Sequence, residues 1–340
     1  MQEILSSFAL TEAKLEPFGS GLINRTWKVY APERNYILQR INVDVFKQPQ
    51  DIAYNVRLIA DYLQKYHPGY QFVSPLHAAS GDDIIFCKGN GWFRLMPFVE
   101  NSFTLDVATT PEQAYEAARQ FGRFTRLLSG FDSTQLKITI PQFHDLSLRY
   151  QQFLNSIANG NEKRKREARS LINELLYHKC IVEQYQSMVG NPAFKLRVTH
   201  HDTKISNVLF DQSGKGVCVI DLDTIMPGYF ISDVGDMIRT YVSPVSEEEC
   251  DVEKIVLRED FYVSIIEGYS DEMKDQLTAM EKKQFMFSGK FMTYMQALRF
   301  LTDYLNNDVY YGVKYEGHNL VRAKNQMTLL KRLHEIDDIK

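Results

Sequence analysis

The chain has 340 residues, 44% of them apolar, and a formal charge of −4. That length allows one large or two moderate domains with sizeable cores. No run of about eighteen apolar residues occurs, which argues against a membrane-spanning helix, and the slight acidity argues against bulk attraction to nucleic acid or anionic lipid.

Met1-Gln2-Glu3-Ile4 lacks the basic start and apolar stretch of a secretory signal. Cys87, Cys180, Cys218 and Cys250 are scattered, with no C-x-x-C between them. Neither a disulfide framework nor a zinc site is expected, and a reducing, cytoplasmic setting fits.

In chain order, Lys14 to Phe18 and Thr26 to Tyr30 read as strands around the turn Gly19-Ser20-Gly21-Leu22-Ile23-Asn24. Tyr36 to Ile41 is a third strand, with Tyr36, Leu38 and Arg40 on one face because side chains alternate. Asp51 to Tyr66 has helical spacing, with Asp51 as N-cap and His67-Pro68-Gly69 as the stop. Strands follow at Phe72 to Ala78, Asp83 to Cys87 and Gly91 to Pro97. From Pro111 the pattern turns helical: Pro111 to Leu128, Ser147 to Ala158 and Lys163 to Met188. A short β interruption spans Val198 to Asp223, and helices resume after Asp233, including an aromatic-rich one over Glu281 to Leu305. A β-rich lobe over 1–100 therefore precedes an α-rich lobe over 101–340, and the default ligand site lies between them.

The β interruption carries the chemistry. His200-His201-Asp202-Thr203-Lys204-Ile205-Ser206-Asn207 puts an acid, a lysine and an amide on one loop, and Ile220-Asp221-Leu222-Asp223 adds acid at a strand end. Phosphoryl transfer from a nucleotide needs that inventory. Asp202 suits the orientation of an attacking hydroxyl, Asn207 and Asp221 suit Mg²⁺, and Lys204 suits charge on the transferred group. The bland reading of a lone H-x-D is a capped surface turn, and a His/Asp transition-metal site lacks a further ligand cluster. Asp233, in Ser232-Asp233-Val234-Gly235-Asp236, reads as a helix N-cap, as a buried acceptor for the loop's backbone, or as both at once.

Three other features bear on the donor and acceptor. Gly19 and Gly21 either serve a hairpin turn or bring bare N–H groups to phosphates. Arg40 is either a sheet-edge ion pair or a clamp on α- and β-phosphates. Met96 and Phe98 are either core or the backbone edge that meets adenine. On the late helix, Arg299 and Asp303 either pair with each other one turn apart or line the acceptor site.

Together these motifs resemble the aminoglycoside phosphotransferase and choline kinase superfamily. Within it, Gly19-x-Gly21-x-Ile23-Asn24, Tyr36 to Asn42, His201 to Lys204, Asp221 to Gly228 and Leu298 to Leu305 are similar to N-acetylhexosamine 1-kinases. The resemblance implies an α+β, protein-kinase-like bilobal fold. It implies ATP as co-substrate, Mg²⁺, and a sugar phosphorylated at its anomeric hydroxyl. It further implies Asp202 as the base, Asn207 and Asp221 as metal ligands, Arg40 as the phosphate clamp and Arg299 as a sugar contact. Leu22 stands where that subgroup is expected to carry a histidine near the acceptor.

Overall fold

The computed structural model describes residues 1–19 and 23–337. The chain begins α1 (Gln2–Ser7), β1 (Lys14–Pro17), β2 (Arg25–Tyr30), β3 (Asn35–Ile41), α2 (Pro49–Tyr66), β4 (Ile85–Cys87), β5 (Gly91–Pro97) and β6 (Ser102–Phe103). Helices follow: α3 (Pro111–Leu127), α4 (Leu146–Asn159), α5 (Glu162–Glu167), α6 (Arg169–Tyr177) and α7 (Cys180–Met188). Next come β7 (Arg197–Thr199), β8 (Val208–Asp211), β9 (Gly216–Val219) and β10 (Met226–Gly228). The chain closes with α8 (Phe230–Tyr241), α9 (Glu259–Met273), α10 (Phe285–Leu305) and α11 (His318–Asp337). This is the expected α+β class, with an antiparallel sheet in the N-terminal region and helices in the C-terminal region.

Contacts divide the chain into two units. The first holds Met1–Thr104, Leu127–Pro141 and Asn207–Pro227. Its main sheet is antiparallel, in the order β1-β2-β3-β5-β4. Val29, Tyr36, Leu38, Phe93 and Leu95 point to one face, where they join Ile4, Leu5 and Phe8 around α1 in an apolar core. The opposite face carries Thr26, Gln39 and Arg94 in register. A second sheet, β6-β8-β9, is also antiparallel.

The second unit holds Leu105–Arg126, Gln142–Ser206 and Gly228–Lys340. Its centre is α10, buried along nearly its whole length and packed on α4, α8 and α11. Glycine is required where α8 meets α10. A Cβ on Gly235 would lie 2.3 Å from the Ser288 carbonyl oxygen. Backbone cannot yield as a flexible side chain does, so the two helices approach only because position 235 is bare.

Local readings needed revision in four places. Phe72 to Ala78 forms no assigned strand, although Leu76 N donates to Leu95 O at 2.8 Å. The helix expected over Lys163 to Met188 is broken into α5, α6 and α7. The N-cap of α2 is Gln48, with Pro49 opening the helix and Asp51 in its first turn. The aromatic helix starts at Phe285, after a 3₁₀ turn over Glu281–Lys283. Among the described residues no helix is long and apolar enough to cross a membrane.

Gly235→Ala is expected to lower stability by about 1–3 kcal/mol through overpacking. Gly312→Ala, where a Cβ meets nothing within 4 Å, is the control and should change little. Chemical unfolding midpoints compare the two. An unchanged midpoint for Gly235→Ala would show that the α8–α10 contact relaxes freely.

Candidate active site

The loop after β7 is built around buried carboxylates of α8. Asp233 is 1% exposed and accepts the His200 amide at 3.0 Å and the His201 amide at 2.8 Å. Thr203 Oγ1 donates to the Asp233 carbonyl at 2.7 Å. Asp236 accepts the Thr203 amide at 3.0 Å and is itself held by Arg239, which also reaches Glu247. The Tyr241 hydroxyl donates to the Thr203 carbonyl. Of the two readings of Asp233, the buried acceptor is the one observed. The residue flanking the helix start is Tyr229, so Asp233 is not the N-cap.

These bonds force an uncommon backbone. His201 sits at φ 66°, the left-handed region that a non-glycine residue rarely adopts. Its ring fills the space beside Gly228, where a Cβ would lie 2.5 Å from His201 Cε1. His200 is fully buried with its ring edge on Phe121, and its Nδ1 accepts the Asp202 amide at 3.3 Å. Asp202, at the tip, remains partly exposed and pairs with Lys204 Nζ at 2.8 Å. Desolvation works against the Lys204 charge, but the Asp202 and Asp236 carboxylates outweigh it and raise its pKa.

Arg299 lies in the same unit. Its guanidinium sits 5.5 Å from the Tyr311 ring centroid, 5.7 Å from Phe143 and 5.9 Å from Tyr310. Phe143 stacks on His144, whose Nδ1 lies 3.3 Å from His201 Nδ1. Burial, then His201 and Arg299, hold the His144 pKa well below its ordinary value. Arg299 does not pair with Asp303. It donates to Gln296 at 3.2 Å, while Asp303 clasps the Tyr310 and Tyr311 amides and Asn319.

The remaining candidates lie in the first unit. Asn207 precedes β8 and Asp221 follows β9, so this hairpin delivers both to one end. The Ile220 amide donates to the Asn207 carbonyl at 2.9 Å, tying the two backbones together. Asp221 is exposed and left-handed at φ 59°. Both side chains offer the hard oxygen donors that suit Mg²⁺, which commonly takes one or two protein ligands and completes its shell with phosphate and water. Among the described residues no cluster of three or more His, Cys, Asp or Glu could hold a metal.

Gly19 is exposed at φ +79° with open space around it, and Gly21 falls outside the described residues. Met96 pairs with Ile37 across β3. The Phe98 ring meets Phe18 at 5.9 Å, with Lys28 Nζ 3.7 Å from its centroid. Arg40 stands opposite Phe93 on the apolar face and rests against Gly91. The guanidinium on the other face is Arg94, which sequence reasoning passed over. It pairs with Asp223 at 2.5 Å, both residues being buried. Register was the missing signal, because a strand covered on both faces shows no alternation.

With this geometry in view, comparison with known proteins is informative. Residues 14–261 match the model of the phosphotransferase enzyme family (APH), and the chain belongs to that family. It is an enzyme that transfers phosphoryl groups. Among solved structures, a microcompartment-associated aminopropanol kinase is 17% identical, with a TM-score of 0.64 over 100% of this chain and 98% of that one. Spectinomycin phosphotransferase, determined with ADP and spectinomycin, is 13% identical, with a TM-score of 0.60 over 99% and 97%. Choline kinase from Streptococcus pneumoniae is 14% identical, with a TM-score of 0.56 over 97% of each chain. The chain thus shares the kinase-like fold of these enzymes.

Burial is the main cause lifting the Asp233 carboxyl from 3.8 to about 7, with Asp236 and Asp202 adding to it against the His200 and His201 amides. The folded chain then holds a proton between those values that the unfolded chain has released. Stability from this group is full below the window and falls as pH rises through about 7. Asp233→Asn should flatten that part of the profile and lower stability throughout, because its amide N–H₂ would face one of the two backbone donors. Unfolding midpoints from pH 4 to 8 test this. A decline of equal steepness in the variant would assign the pH dependence to another group.

Proposed function

We propose that the chain is an ATP-dependent small-molecule kinase that transfers the γ-phosphoryl group to the anomeric hydroxyl of an N-acetylhexosamine. The observation that carries the acceptor class is the setting of Arg299. Phe143, Tyr310 and Tyr311 surround it, Arg149 lies nearby, and His144 and His201 link it to the loop of Asp202. Aromatic faces and a guanidinium suit the apolar flank and the polar oxygens of a neutral sugar. A cationic amino alcohol or aminoglycoside calls for an acidic or aromatic cage without a competing cation. Arg299 already occupies these rings.

In this reading Asp202 orients the sugar hydroxyl and accepts its proton as the bond to phosphorus forms. An anomeric hydroxyl is more acidic than an ordinary alcohol, so the demand on this base is light. The clamp from Asp233 and Asp236 keeps Asp202 in place before substrate arrives, which lowers the entropy cost of the reactive arrangement. Lys204, held beside Asp202, meets charge on the phosphoryl group. Asn207 and Asp221 would hold Mg²⁺, which supplies charge neutralisation at the phosphates when bound. Gly19 and Gly21 would bring backbone N–H groups to the phosphates, and Met96 and Phe98 would meet the adenine. Arg40 would clamp the α- and β-phosphates from the face it shares with Leu38 and Phe93, opposite that of Gln39 and Arg94.

A coupled ADP-release assay with Mg-ATP tests the reading across N-acetylgalactosamine, N-acetylglucosamine, glucose, choline and kanamycin. Turnover is expected on the N-acetylhexosamines, with an anomeric phosphate in the product by ³¹P NMR. Turnover confined to choline or kanamycin would overturn the acceptor assignment. Arg299→Ala should raise the acceptor KM roughly 10- to 100-fold, the worth of a charged hydrogen bond, and leave the KM for ATP unchanged.

A further inference from the structure

We propose that Arg94 is the positioning residue of the metal-binding loop, neutralising Asp223 so that Asp221 alone serves as that loop's metal carboxylate. This rests on the reading of Asn207 and Asp221 as Mg²⁺ ligands. The segment Asp221-Leu222-Asp223 carries two acids, and the pattern alone does not say which meets the metal.

The geometry separates them. Asp223 is 2% exposed; its Oδ1 lies 2.5 Å from Arg94 Nη1 in an ion pair, and its Oδ2 accepts from Asn24 Nδ2 at 2.7 Å. Arg94 is 3% exposed and is aimed by Gln39, whose Oε1 accepts Nε at 2.9 Å and Nη2 at 2.7 Å. Asn24 is fixed in turn, its Oδ1 accepting the Asn42 amide at 3.0 Å. A buried carboxylate stripped of such partners is strongly destabilised. A divalent ion on Asp223 would have to displace Arg94 or sit beside its charge.

Asp221, by contrast with buried Asp223, is exposed, and its backbone is left-handed. A non-glycine residue persists in that conformation only where its surroundings over-determine it. Those surroundings are visible here. Arg94 and Asn24 hold the side chain of Asp223, while Asn55 of α2 donates to the Ile225 carbonyl at 2.9 Å and to the Lys137 carbonyl at 2.8 Å. The segment just after Asp221 is therefore fixed by side chain and by backbone. Arg94 acts on the metal through Asp223 and touches no reacting atom.

Isothermal titration of ADP with and without Mg²⁺ tests the proposal. Wild type should bind ADP more tightly with Mg²⁺, and Asp221→Asn should lose that gain. Arg94→Met should keep metal-free ADP affinity and lose roughly 10- to 100-fold of the Mg²⁺-dependent gain, as removal of an outer-shell partner does. If Arg94→Met does not fold, Arg94→Lys keeps Asp223 neutralised but loses the fork that Gln39 aims, and a smaller loss in the same direction is expected. A purely structural role would lower the unfolding midpoint and leave the ratio of the two affinities at its wild-type value, overturning the proposal. Absence of any Mg²⁺-dependent gain in wild type would instead remove the metal assignment on which it rests.

Discussion

Two consecutive backbone amides, from His200 and His201, point at the single carboxylate of Asp233. Satisfying both bends the chain into the left-handed turn at His201 and leaves Asp202 at the tip. The carboxylate itself is placed by α8, which lies close to α10 because Gly235 has no side chain. Loop conformation, helix approach and core packing are thus coupled within one unit. Loss of any one of them frees the position of Asp202. Burying the carboxylate is unfavourable by itself, and the two amides offset part of that cost.

The same division of labour occurs in the other unit. There Asp223 is the buried carboxylate that holds backbone in place, and Asp221 is the accessible one. In both loops a non-glycine residue with positive φ sits next to or at the accessible acid. In the proposed reading, each loop uses one acid for structure and offers another for chemistry. The structural acids differ in how their charge is met. Asp223 has a guanidinium partner, whereas Asp233 has none: burial, reinforced by Asp236 and Asp202, raises its pKa against the two amides.

Much of this was legible from residue pattern. β1 to β3 stood out as strands between turns, and the Asp202 loop stood out by its composition. Arg94 was hidden for a physical reason. Its own strand, Gly91-Trp92-Phe93-Arg94-Leu95-Met96-Pro97, has apolar residues on both faces, so nothing in the strand says which face meets Asp223. Arg299 and Asp303 looked like a helical pair because spacing cannot show that Asn306 to Tyr311 turns back over them. The long helix expected through Lys163 to Met188 lacks a glycine or proline at its breaks. Its first segment is held by Arg164, which reaches Asp308 and the Tyr304 carbonyl, partners more than a hundred residues away. Asp236 and Tyr241 were likewise invisible as loop clamps, since their partners appear only when α8 is docked.

The most direct measurement is the activity of Asp202→Asn alongside its nucleotide affinity. The clamp on this loop is made by backbone groups, so the substitution should leave ADP binding near wild type. Turnover should fall by about 10²–10⁴-fold, the usual worth of a positioned general base. Near-normal turnover with normal nucleotide binding would contradict the assignment of Asp202 as the residue that this loop is built to present.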